Sequence, residues 1–123
     1  MRRLALLVLA AIGLVAGLSG PPAARAGETG FVAGTEDVPL MAGLHNIEEA
    51  LLVFDKPEGR IVEAEARGRV KRAAVEKFYA ATLPELGWTA DGRDAWRREG
   101  EGLRIEFKGR DGDLRVGFTL SPR

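Results

Sequence analysis

The stretch FYAATLPELGW, residues 78–88, is where a helical pattern gives way to strands. In the residues leading into it and through it, Val75, Phe78, Tyr79, Thr82 and Leu86 fall on one helical stripe, while Lys71, Arg72, Glu76 and Lys77 lie largely elsewhere. That spacing predicts an amphipathic helix with one buried face. Pro84 stands three residues before Gly87, the residue expected to stop the helix. A proline there lacks the N–H that would bond the carbonyl of Ala80, and its ring crowds that carbonyl. The main helix is therefore expected to end near Ala81, with Pro84 opening a last turn that Thr82 and Glu85 cap as a box. A kinked but continuous helix is the alternative. Either way Leu86 and Trp88 are expected to return to the core, and Pro84 is read as the end of an element, not as a site.

Upstream, ALLVFDKPEGRIVEAEARG (residues 50–68) holds two strand-like runs around DKPEG. Pro57 and Gly59 suit a reversal. Val62, Ala64 and Ala66 alternate with Glu63, Glu65 and Arg67, the period of a strand with one wet face. Downstream, residues 88–120 divide into four short strand candidates at Asp91 and Gly92, at residues 100–102, and at Asp111 and Gly112. Asp-Gly is a strong hairpin signal. Leu103, Ile105 and Phe107 alternate with Arg104, Glu106 and Lys108; Leu114, Val116, Phe118 and Leu120 alternate with Arg115, Gly117 and Thr119. The expected order is β-β-α-β-β-β-β. The expected fold class is α+β: a two-layer sandwich of an antiparallel sheet with one amphipathic helix on its apolar face.

The chain opens with Arg2 and Arg3, runs apolar from Leu4 to Leu18, breaks at Gly20, Pro21 and Pro22, and reaches Ala24, Arg25 and Ala26. This is the pattern of a secretory signal peptide over residues 1–26, cleaved after Ala26. The apolar run is shorter than the ~20 residues of a membrane span. An uncleaved membrane anchor is the weaker alternative. Export by the general secretory route to the periplasm, or beyond it, is the expectation. Of the 18 basic residues three are in the leader and none of the 18 acidic ones is, so the remaining chain carries a formal charge of −3. That argues against nucleic acid as a partner, which calls for a basic stripe, and against stable membrane insertion after cleavage. No cysteine is present, so one packed core must hold the domain without disulfides. Residues 27–49 read as a flexible or extended N-terminal segment, with Asn46 placed to cap a short turn through Ile47, Glu48 and Glu49, and residues 50–123 as a single domain.

Chemistry-bearing residues are sparse. His45 is the only histidine, and Ser121, beside the C-terminus, is the only serine after the leader. A nucleophile–base pair has no material, and His45 has no cysteine or second histidine to share a metal with. Glu63 and Glu65 share a strand face and could serve a carboxylate-dependent hydrolase. Cross-strand pairing with Arg104, Lys108 or Arg115 explains them without catalysis. RDGDL (residues 110–114) resembles part of a calcium loop but lacks the ligand series, and reads as a hairpin turn. Phe78, Tyr79 and Trp88 read as core. No catalytic, cofactor-binding or metal-binding residue is assigned, and no cofactor is expected.

The candidate interaction surface combines two parts. DVPLMAGL (residues 37–44) supplies Val38, Pro39, Leu40, Met41 and Leu44, which either pack along the sheet or dock on another envelope protein. Trp96 with Arg97 stands among charges, where the ring could stack on a partner. DVPLMAGL, LVFDKPEGRIVEA and FYAATLPELGW together resemble a group of small exported bacterial proteins of unassigned function, in which the first motif has proline where this chain has Ala42. The resemblance implies a signal peptide and a compact periplasmic domain, and brings no catalytic residues. The expected function is thus a non-enzymatic exported domain that binds a partner protein in the cell envelope. The alternative is a small-ligand carrier with a cleft between helix and sheet, and a hydrolase comes last.

Overall fold

The computed structural model describes residues 30–123; the leader and its cleavage site lie outside them. The strands are β1 (Leu44–Asn46), β2 (Leu52–Lys56), β3 (Gly59–Gly68), β4 (Thr89–Ala90), β5 (Ala95–Arg98), β6 (Glu101–Arg110) and β7 (Asp113–Pro122), and the helix α1 (Arg72–Thr82) falls between β3 and β4. The fold is α+β, an antiparallel sheet with one helix among the described residues. It contains one strand more than expected. β1 is only three residues long, too short to show a period, and Asn46 lies within it. A 3-10 turn does follow at Glu48–Ala50, but Ile47 precedes it and no side chain caps it.

The sheet runs β1-β3-β7-β6-β5-β4, all neighbours antiparallel, with β2 also paired to β3. β1 lies along residues 66–68 of β3 and β2 along residues 59–63, so the two share one side of β3 end to end. The long strands β3, β6 and β7 carry the alternation through. Val62, Ala64, Ala66, Leu103, Ile105, Leu114, Val116 and Phe118 are buried. Residues between them, such as Glu63, Arg67, Arg104, Glu106, Lys108 and Arg115, are exposed.

α1 covers the apolar face with Val75, Tyr79 and, one turn on, Leu83. The Tyr79 ring meets Phe118 edge-on at 5.5 Å and Phe78 at 4.9 Å. Lys71 gives the helix no side-chain cap. The cap comes instead from the β6–β7 turn, where Asp111 Oδ1 accepts the Arg72 N–H at 2.9 Å. An acceptor there satisfies one of the four free N–H groups of a helix start.

At the other end α1 passes into a 3-10 turn, Leu83–Leu86, with Pro84 near its start and Gly87 left-handed behind it at φ 91°. Pro84 thus opens a final turn and Gly87 stops it. Two details differ. Thr82 makes no side-chain capping bond. Leu83 is also the leucine that faces inward, fully buried, while Leu86 is 38 % exposed. Leu83 continues the i, i+4 series of Val75 and Tyr79, its N–H donating to the Tyr79 carbonyl as in an α-helix, so the core takes Leu83 in place of the expected Leu86.

The core does not respect the expected boundary at residue 50. Val32, Val38, Leu40 and Leu44 belong to the same buried cluster as the sheet and helix. Residues 30–40 fold back on themselves, with Val32 N–H donating to the Val38 carbonyl at 2.8 Å and Leu40 N–H to the Gly30 carbonyl at 2.9 Å. Asn46 fastens this loop to β1: its side chain accepts from Ala33 N–H and donates to the Phe31 carbonyl, each at 3.0 Å. The described part of the segment read as flexible is therefore packed.

Candidate functional site

Most of the residues singled out as a surface face inward. Val38, Leu40 and Leu44 are buried, and Met41 packs against the core. Pro39 is half-buried, and its carbonyl accepts the Tyr79 hydroxyl at 2.8 Å. Of the two roles weighed for residues 38–44, packing is what the structure displays. Burial pushes the Tyr79 phenol well above its usual pKa, and a backbone hydrogen bond at Met41 opposes this only in part.

Trp96 lies opposite Leu103 on the apolar face and packs against the core, half-buried. Arg97 alone of the surface residues is exposed, on the opposite face. A cation does stack within the molecule, on another ring: the Arg98 guanidinium sits 4.3 Å from the centroid of Trp88. Arg98 also forms a two-bond pair with Asp37, at 2.7 and 3.2 Å, which holds its pKa above the ordinary guanidinium value. These contacts fasten the N-terminal loop to β5. Trp88 is buried, and its indole N–H has no hydrogen-bond partner among the described residues.

The residues considered for chemistry stay apart. His45 is exposed on β1, opposite Arg67. Ser121 pairs with Gly102 across β7 and β6, away from His45. Glu63 lies opposite Thr119; Glu65 lies opposite Gly117, which in turn faces Glu106. Among the described residues no three His, Asp or Glu side chains are placed to hold a metal ion. The space between helix and sheet, where a carrier would need its cleft, is filled by Val75, Tyr79, Leu83 and Phe118. Open clefts lie elsewhere on the surface, one of about 350 Å³ being lined by Asp37, Glu58, Arg60, Arg98 and Glu101 among others.

What the structure adds is an unguarded edge. The sheet ends on one side at β4, two residues long. On the other it ends at β2, five residues long and exposed throughout. Leu52, Val53 and Phe54 are 50 %, 38 % and 47 % exposed, although every one of them is bulky and apolar. Leu52 and Phe54 lean to the open face, opposite Glu63 and Ile61, and Val53 to the covered one, opposite Val62. An edge strand presents a row of backbone N–H and C=O groups without strand partners, and edges are ordinarily shortened, charged or interrupted by proline. In β2 the charges, Asp55 and Lys56, come only at the turn. The neighbouring surface is acidic, with Glu48, Glu49, Asp55, Glu58 and Glu63 against Lys56 and Arg60. The apolar run was legible in the sequence; its exposure was not, because it depends on β1 and β2 sharing one side of β3.

Among the described residues no helix is long and apolar enough to cross a membrane. No family model, no curated protein and no solved structure matches the chain.

Proposed function

We propose that the protein is a non-enzymatic binding domain of the cell envelope, exported as its leader pattern suggests, that takes an extended segment of a partner protein along the free edge of β2. On this reading the molecule is a two-layer sandwich whose helical side is closed by packing and whose binding is left to the sheet. The observation that carries it is the exposure of Leu52, Val53 and Phe54 on a five-residue edge, while the opposite edge is cut to two residues. Adding a strand there satisfies the outward backbone groups and covers the three side chains. The acidic surroundings favour a segment with apolar residues at alternate positions and a Lys or Arg near its end. The reading keeps the resemblance to small exported bacterial proteins as its context and needs no cofactor.

Peptide display against the full chain tests it. Enriched sequences should alternate apolar residues, carry basic ones, and lose at least tenfold in affinity against Leu52→Lys/Phe54→Lys. Peptides that bind this variant as well as the unaltered protein, or none enriched at all, would sink the proposal.

A further inference from the structure

At the opposite end of β3 from β2, the register places four basic side chains in one line. His45 on β1 lies opposite Arg67 on β3, Arg67 opposite Arg115 on β7, and Arg115 opposite Lys108 on β6. Directly opposed residues project from the same face, and all four are exposed. With strands about 4.8 Å apart, the line crosses the sheet over roughly 14 Å. The like charges of Arg67, Arg115 and Lys108 opposed in this way destabilise a sheet, and little local compensation is present. Arg67 approaches Asp113 at 4.0 Å with both side chains well exposed. Among the described residues no carboxylate comes within that distance of Arg115 or Lys108.

The line is also narrow. Two residues along the strands lie Glu65 and Glu106, on either side of Gly117. On the other side Arg110 is paired across from Asp113. A membrane plane or a nucleic-acid duplex laid on this face would press its negative charge on Glu65 and Glu106 as well. Single-stranded nucleic acid is bound by cations together with aromatic platforms; the rings of Tyr79, Trp88, Trp96, Phe107 and Phe118 are packed in or against the core on the other face, and Phe54, on this face, lies opposite Ile61, at the far end of β3 from Arg67. What fits is a single acidic polypeptide chain. Carboxylates three and four residues apart on a helix are about 5–6 Å from one another, close to the spacing of this line.

We infer that the line His45, Arg67, Arg115 and Lys108 is a docking site for an acidic polypeptide segment, one with several Asp or Glu side chains along one face. It is separate from the β2 edge and does not depend on it.

The full chain titrated with a fluorescein-labelled, Glu-rich helical peptide, followed by anisotropy, tests this. Binding should be measurable at low salt and weaken as salt is added. Arg67→Gln/Arg115→Gln should lower affinity at least tenfold, while Arg97→Gln/Arg104→Gln, the same loss of charge on the same face, changes it less than twofold. Lys108→Gln alone should give an intermediate loss and serves if the first double variant does not fold. Equal weakening by the two double variants would reduce the effect to general electrostatics and overturn the inference. So would no binding by the unaltered chain, or tighter line-dependent binding of oligo-dT or of anionic lipid vesicles than of the peptide.

Discussion

The hydroxyl of Tyr79 donates to the carbonyl of Pro39 at 2.8 Å, tying α1 to a loop forty residues earlier in the chain. The bond joins two pieces that pattern alone sets apart, a regular helix and an irregular apolar stretch. Tyr79→Phe keeps the ring against Phe118 but leaves the Pro39 carbonyl without its partner. It should cost about 1–2 kcal/mol in urea melts.

The same residue makes stability depend on alkaline pH. Its folded pKa is raised by burial above the ordinary value of 10.0. The folded state therefore holds the phenol proton more tightly than the unfolded chain does. That stabilisation is complete below about pH 10 and is lost as pH rises through the folded pKa. Tyr79 is the only tyrosine in the chain, so phenolate absorbance reads it alone. It should titrate above its ordinary range, or appear only as the protein unfolds, and Tyr79→Phe should flatten the alkaline fall in stability. A titration centred at the ordinary value would contradict the buried placement.

Leu83→Ala should destabilise by about 2–5 kcal/mol, since it empties a fully buried position. Leu86→Ala, three residues on and partly exposed, should cost less than about 1 kcal/mol. Melts of the pair decide which leucine the turn at Pro84 delivers to the core. Equal losses would mean that Leu86 packs as deeply as Leu83.

Gly68→Ala should be among the most damaging small substitutions. A Cβ at Gly68 would stand 2.0 Å from the carbonyl oxygen of Gly43 and 3.2 Å from the Cα of Leu44, both backbone atoms. β1 would have to move away from β3, at about 3 kcal/mol or more. Gly112→Ala has open space around it and pays only for its positive φ, about 1 kcal/mol. Calorimetry of the two variants separates the close approach from the turn geometry.

Arg98 and Asp37 should be coupled. Their two-bond pair is partly shielded, the Arg98 side chain being 17 % exposed. A double-mutant cycle with Arg98→Met and Asp37→Ala should give about 1 kcal/mol, the upper end for pairs near the surface. Arg98→Met should cost more than Asp37→Ala, because it also strips the guanidinium from the face of Trp88. Coupling near zero would detach the N-terminal loop from β5.

How much of this was legible in the sequence depended on how local the cause was. Leu103, Ile105 and Leu114 to Phe118 reveal their face through period two, because one strand with one dry side suffices for it. Gly87 and Pro84 act on their own backbone, and their roles could be read directly. Leu86 could not, since the stripe through Val75 and Tyr79 reaches the core at Leu83 as well, and only the packing shows which leucine fills it. Val38 and Leu40 read as packing with docking as the alternative; what decides is Tyr79, a long way along the chain. The free edge at Leu52 to Phe54 and the basic line through Arg67 and Arg115 both rest on which strands meet and in what register. Neither is a property of any one stretch.

The strand order also bears on when the protein can fold. β7 is the last strand in the chain, and it stands between β3 and β6. A chain made or delivered N-terminus first holds β1 to β3 and later β4 to β6 with no strand between them. Only when residues 113–122 arrive do the two halves become one sheet, and only then is there a complete floor for Val75, Tyr79 and the loop of Val38 and Leu40. Contacts between distant residues slow folding. Here they also postpone it until nearly the whole chain is free, which would suit the proposed export through a pore.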